Sequence, residues 1–169
     1  SSEPAARASP KFRNDPRQHT PRRTSVLIIE DDSFCRTLYV NQLKKIGSDF
    51  RLVTSENGYS ALMSIGQKSP DLIILDLCMP RFDGVSFLEV VKSNPAYENL
   101  PILVISAEIS MLPTGSPQYP NTYVFQKPIQ AAVFERIVRL ALHLPQQSGP
   151  GNEPTIENQG LVDHGYMNV

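Results

Sequence analysis

The chain has 169 residues, 40% of them hydrophobic and 20% charged, with 16 basic residues against 17 acidic ones. No apolar run approaches the roughly 20 residues that cross a bilayer, and the N-terminus lacks the apolar stretch of a secretory signal, so a cytoplasmic protein without membrane contact is expected. The near-neutral balance argues against direct nucleic-acid binding by the molecule as a whole, and two cysteines, Cys35 and Cys78, outside any CxxC or Cys/His spacing, exclude a disulfide framework and a thiolate metal site.

The charge is unevenly spread. Residues 1–23 hold Pro4, Pro10, Pro16 and Pro21 and six basic residues against Glu3 and Asp15, with little apolar content. Such a segment cannot bury enough surface to offset its ordering entropy and reads as a basic, Pro-rich linker. Residues 145–169 carry Glu153, Glu157 and Asp163 and no Lys or Arg, and read as an acidic, polar tail. Between them, residues 24–144 have the length of one domain with one core.

Within that domain, β-branched runs alternate with amphipathic stretches. Ser25 to Ile29 predicts a first strand, followed by a helix over Ser33 to Ile46 that Gly47 stops. Arg51 to Thr54 predicts a second strand and Gly58 to Gly66 a second helix. Leu72 to Leu75 and Val85 to Ser93 form the third pair. Ile102 to Ile105 is the fourth strand, but Glu108 to Asn121 contains Pro113, Gly115, Pro117 and Pro120, which leaves room for one turn near Glu108 to Leu112 and no normal helix. Thr122 to Gln126 is the fifth strand, and Ala131 to Leu144 is a last helix, apolar on more than one side. Continuously apolar strands in a repeated β-then-α order predict a parallel, doubly wound α/β sheet covered on both faces.

In such sheets ligands bind beyond the carboxyl ends of the strands. There the chain places Glu30, Asp31 and Asp32 after strand 1, Asp76 after strand 3, Ser106 after strand 4 and Lys127-Pro128 after strand 5. Taken singly these have ordinary explanations: Asp32 or Ser33 caps a helix, Asp83-Gly84 is a turn, Ser106 caps a helical turn. Together they do not. Carboxylates about 4 Å apart repel by roughly 1 kcal/mol in water and more at lower dielectric, so the cluster calls for a cation. Oxygen ligands without histidine or paired thiolates suit Mg²⁺, and Lys127 adds a fixed positive charge. A carboxylate nucleophile, a divalent cation, a hydroxyl donor and an ammonium are the parts for phosphoryl transfer onto an aspartate.

The stretches Val-Leu-Ile-Ile-Glu30-Asp31-Asp32, Leu-Ile-Ile-Leu-Asp76-Leu-Cys-Met-Pro80-Arg-Phe-Asp83-Gly84, Ile-Leu-Val-Ile-Ser106-Ala107 and Lys127-Pro128 together resemble the receiver domains of two-component response regulators. The resemblance spans nearly all of residues 24–144. It implies a flavodoxin-like five-stranded sheet in the order 2-1-3-4-5, with the helix between strands 4 and 5 shortened or absent. It implies Asp76 as phosphoacceptor, and Glu30, Asp31, Asp76 and the backbone carbonyl of Cys78 as the magnesium site, with Asp32 in the first turn of the helix. Ser106, Ala107 and Lys127 would meet the phosphoryl group, Pro80 and Gly84 would shape the loop after the acceptor, and a cis bond would precede Pro128. The implied function is phosphorelay signalling, with a histidine kinase or histidine phosphotransfer protein as donor and a self-catalysed phosphorylation and dephosphorylation in place of a conventional enzyme activity. A homodimer or effector would meet the face of strand 4, strand 5 and the last helix.

Two departures stand out. Where the family usually has Phe or Tyr three residues before the strand-5 lysine, this chain has Val124, and alternation turns Tyr123 and Phe125 to the opposite face. The Pro-rich stretch replaces the fourth helix of the family. Other chemistries lack their residues: a haloacid-dehalogenase-type phosphohydrolase needs a second Asp where Cys78 stands, no GxxxxGK[ST] loop exists, and none of His19, His143 and His164 ends a strand to serve a nucleophilic Cys78, which reads as a buried spacer. The competing reading is a receiver-like interaction module that works without phosphate.

Overall fold

The structure, a computed structural model, describes residues 22–47, 49–112 and 119–146. The strands are β1 (Ser25–Ile29), β2 (Arg51–Ser55), β3 (Leu72–Leu75), β4 (Ile102–Ser106) and β5 (Thr122–Gln126). The helices are α1 (Ser33–Lys45), α2 (Gly58–Gln67), α3 (Gly84–Lys92) and α4 (Ala131–Ala141). All strand pairs are parallel, in the order β2-β1-β3-β4-β5. This is the expected doubly wound sheet, and helices on both faces explain why β1, β3 and β4 are buried at every position and apolar at all but Ser25 and Ser106.

The pleat divides the core in two. Val26, Ile28, Ile74, Leu103, Ile105 and Phe125 face α1 and α4, where they meet Tyr39, Leu43, Phe134 and Val138. Leu27, Ile29, Ile73, Leu75 and Val104 face α2 and α3, against Ala61, Ile65, Phe87, Leu88 and Val91. Tyr123 joins Phe125 on the α1/α4 side while Val124 packs on the other, as strand alternation requires.

Helix ends follow local chemistry. Asp32, Asn57 and Asp83 cap α1, α2 and α3 by accepting from Cys35, Ser60 and Ser86 amides. Asp32 is thus the cap of α1 and stands outside its first turn. The Asp83 cap starts α3 at Gly84, one residue before the apolar pattern begins. Gly47, at φ 79°, closes α1 as a left-handed residue. The last helix stops at Ala141, short of Leu144, with His143 in the left-handed region at φ 54°. Of its apolar residues Phe134, Ile137, Val138 and Ala141 are buried and Leu140 is half exposed, so sheet packing accounts for most of its breadth.

Between β4 and β5 the described chain forms a 3-10 turn, Ile109–Met111, in place of a helix, with Ile109 and Leu112 buried beneath it. Pro113, Gly115 and Pro117 lie outside the described residues, as do residues 1–21 and 147–169 of the two tails. Arg22 and Arg23, assigned to the linker from composition, form ion pairs with Asp71 and Asp49 at 2.8 and 2.7 Å. Among the described residues no helix is long and apolar enough to cross a membrane.

Candidate phosphoacceptor site

At the carboxyl end of the sheet the polar residues converge. β1 and β3 are neighbours, so Glu30 and Asp76 leave the sheet side by side: the Glu30 amide donates to the Ser55 carbonyl and the Asp76 amide to the Ile29 carbonyl. Both side chains are buried, Glu30 at 1% and Asp76 at 4% exposure, while Asp31 is exposed. One carboxylate oxygen from each of Glu30, Asp31 and Asp76 lies within 4.8 Å of the other two, a set that could hold a metal ion.

Lys127 comes from the end of β5, across β4, and its Nζ donates to Glu30 Oε2 at 2.7 Å and to Asp76 Oδ2 at 3.0 Å. The peptide bond before Pro128 is cis. The two carboxylates hold the Lys127 ammonium above its ordinary range against the opposing effect of burial. Burial is also the main influence on Glu30 and pushes it up to about 7, with the Asp76 charge acting in the same sense and the Lys127 hydrogen bond opposing both. The remaining Asp76 oxygen, Oδ1, accepts the Cys78 amide at 3.1 Å, while Glu30 Oε1 accepts the Asp32 amide at 3.2 Å.

Ser106 ends β4 with no exposed surface, its Oγ accepting the Glu108 amide at 3.3 Å, and Ala107 beside it is exposed. The same hydroxyl lies at hydrogen-bond distance from Cys78 Sγ, 3.4 Å away. The loop after Asp76 is closely fitted. A β-carbon on Gly84 would collide with the Asp76 carbonyl and Leu77 Cα, and one on Gly58 would collide with the Phe82 ring, which also packs on Tyr59 at a centroid distance of 4.8 Å. Arg81 takes a left-handed conformation, φ 72°, in the same loop.

Cys78 corrects the sequence reading. It is exposed, with Sγ 3.4 Å from Ser106 Oγ and 3.6 Å from Met111 Sδ. The chain is already turning away from β3 at this point, so Leu77 and Met79 go inward and Cys78 outward to the mouth of the site. Arg36 was missed altogether: its guanidinium bonds the carbonyls of Glu30 and Asp31, contacts that no side-chain spacing announces.

Comparison with known proteins agrees with this geometry. A family model, the response regulator receiver domain, matches residues 26–138. PilG of Pseudomonas aeruginosa is 31% identical over 100 residues, covering 56% of this chain and 73% of PilG. The probable transcriptional regulator ycf27 of Galdieria sulphuraria is 26% identical over 150 residues, 88% of this chain and 56% of that protein, so the chain spans little more than half of such relatives. A putative response regulator from Chloroflexus aurantiacus superposes with a TM-score of 0.63 at 27% identity, covering 72% of this chain and 99% of that one. The receiver domain of the sensor kinase PA1611 of P. aeruginosa, solved with magnesium in its own active-site cleft, shares the fold at TM-score 0.61 and 21% identity, over 72% of this chain and 99% of that one. With the family model covering well over half its length and the motifs gathered at one rim of the expected fold, the chain belongs to the response regulator receiver domain family, which works in two-component phosphorelay signalling.

Proposed function

We propose that Asp76 accepts a phosphoryl group from a phosphohistidine on a histidine kinase or histidine phosphotransfer protein, and that the modified domain switches its protein contacts. The observation that carries this reading is the Lys127 ammonium set between Glu30 and Asp76 at 2.7 and 3.0 Å. One Asp76 oxygen is oriented by the Cys78 amide and the other by Lys127, which holds the carboxylate fixed for attack on phosphorus. As the new P–O bond forms, the P–N bond to imidazole breaks and the imidazole leaves with a solvent proton. Lys127 follows the added charge, and the Ser106 hydroxyl turns from its Cys78 Sγ contact to donate to a phosphoryl oxygen. Ala107 leaves room beside it.

Glu30, Asp31 and Asp76, with the Cys78 backbone carbonyl, would hold Mg²⁺; their hard oxygen donors, gathered within 4.8 Å, fit that ion. Bound there, Mg²⁺ supplies positive charge against the phosphoryl oxygens. The domain is thus a self-modifying switch, placed in the cytoplasm where phosphohistidine donors are formed, and its β4, β5 and α4 face is the surface that a second copy or an effector would meet. With acceptor, acidic pair, hydroxyl and lysine all at one rim, no observation favours an interaction module that works without phosphate.

The test is incubation with a phosphohistidine donor or small phosphoramidate and Mg²⁺, read by intact mass and Phos-tag mobility. The expected outcome is one acid-stable, base-labile phosphoryl group that Asp76→Asn lacks. A wild-type chain that stays unlabelled by a cognate donor overturns the reading.

A further inference from the structure

The carbonyls of the acidic turn are held from behind by Arg36. Between the last ladder bond of β1, Glu30 amide to Ser55 carbonyl, and the first bond of α1, Arg36 amide to Asp32 carbonyl at 3.0 Å, lie two peptide carbonyls, those of Glu30 and Asp31, that belong to neither ladder nor helix. Arg36 Nη1 donates to both, at 2.7 and 2.8 Å, and Nη2 donates to Glu56 Oε1 at 2.9 Å. The guanidinium therefore joins the β1–α1 turn to the β2–α2 loop, and its side chain is 17% exposed.

We infer that Arg36 is a positioning residue for the acidic pair, fixing the backbone turn that carries the Glu30 and Asp31 carboxylates. The inference rests on the reading of Glu30, Asp31 and Asp76 as the cation-holding set. Rotation of either peptide plane would swing the attached Cα and its carboxylate, and mutual repulsion among three neighbouring carboxylates favours such an opening. A planar fork whose one nitrogen presents two N–H groups to two carbonyls resists it. Arg36 touches none of the carboxylates of the site, so it acts through the backbone.

The sign of the effect separates this role from a purely electrostatic one. Removing a positive charge near an anionic site tightens binding of a divalent cation, whereas loosening the turn weakens it. The experiment titrates the full chain with Mg²⁺ by isothermal calorimetry, comparing wild type with Arg36→Ala, Arg36→Lys and Glu56→Gln, and measures Asp76 labelling by a phosphoramidate at saturating Mg²⁺. Far-UV circular dichroism and melting establish the folded fraction. Arg36→Ala is expected to weaken Mg²⁺ binding about tenfold or more, the size typical of lost outer supports of metal ligands. Arg36→Lys keeps the charge and recovers part of the loss, and Glu56→Gln stays within about twofold of wild type because it breaks only the exposed pair. If Arg36→Ala does not fold, Arg36→Lys carries the test and is expected to remain weaker than wild type. A folded Arg36→Ala that binds Mg²⁺ as tightly as wild type, or more tightly, overturns the inference while leaving the cation site in place. A wild-type chain that neither binds Mg²⁺ nor labels overturns the site reading and the inference with it.

Discussion

Lys92 and Lys127 are both lysines that the fold takes out of water, but into opposite company. Lys92, on α3, donates to three backbone carbonyls, those of Glu98, Leu100 and Pro120, at 2.9, 2.7 and 2.7 Å. Lys127 donates to two carboxylates. Three carbonyls satisfy all three ammonium protons without neutralising the charge, and burial pulls Lys92 down to about 8. Two carboxylates neutralise it, and Lys127 is held above its ordinary range. The first arrangement is a staple between the α3–β4 and β4–β5 connections. The second is a counterion to the two buried carboxylates of the proposed phosphoacceptor site. Burial of a lysine does not by itself mark a site; the nature of its acceptors does.

Substitutions should separate the two roles. The largest effect is expected from Lys127→Met, which should lower the rate of Asp76 labelling by about 100-fold, the scale of losing one preorganised donor to developing charge, as followed by intact mass over time. Lys92→Met should leave labelling per folded molecule unchanged and cost about 2–3 kcal/mol of stability in urea unfolding, because three carbonyls lose their donor. Labelling lost in proportion across both variants would erase the distinction.

Smaller effects concern protons. Mg²⁺ at about 100 times its Kd should stabilise wild type by about 2.7 kcal/mol, seen as a raised Tm, and should do little for a Glu30→Gln, Asp31→Asn double variant. Glu30 sharpens this. Its carboxyl is raised from 4.5 to about 7, so the folded protein binds a proton that the unfolded chain has released. Its contribution is present below 4.5 and is lost as pH rises to about 7, and Mg²⁺, which takes the place of that proton, should stabilise more at about pH 8 than at about pH 6. The smallest signal belongs to Lys92. There the unfolded chain keeps its proton up to 10.5 and the folded one releases it near 8, so stability should rise with pH across that interval in wild type relative to Lys92→Met.

Much of this was legible in the sequence because it depends on order and period. The apolar strands, β-then-α repetition and polar residues after Ile29, Leu75, Ile105 and Gln126 fix the sheet and bring Glu30, Asp31, Asp76, Ser106 and Lys127 to one rim. What stayed hidden depends on backbone geometry in loops. Cys78 reads as a buried spacer because no histidine ends a strand to serve it as a nucleophile, yet the turn after β3 points it outward. Lys92 sits in a sequence that gives no sign of burial, since its acceptors are carbonyls up to 28 residues away. Arg36 is hidden for the same reason: a donor to peptide oxygens leaves no paired residue to find.

The tilted packing of Tyr59 against Phe82 couples the loop after Asp76 to an exposed position on α2. The chain contains no tryptophan. Tyr59→Trp would therefore install a lone indole emitter against the loop that begins at Asp76, and its fluorescence would follow displacement of that loop in real time without any attached dye.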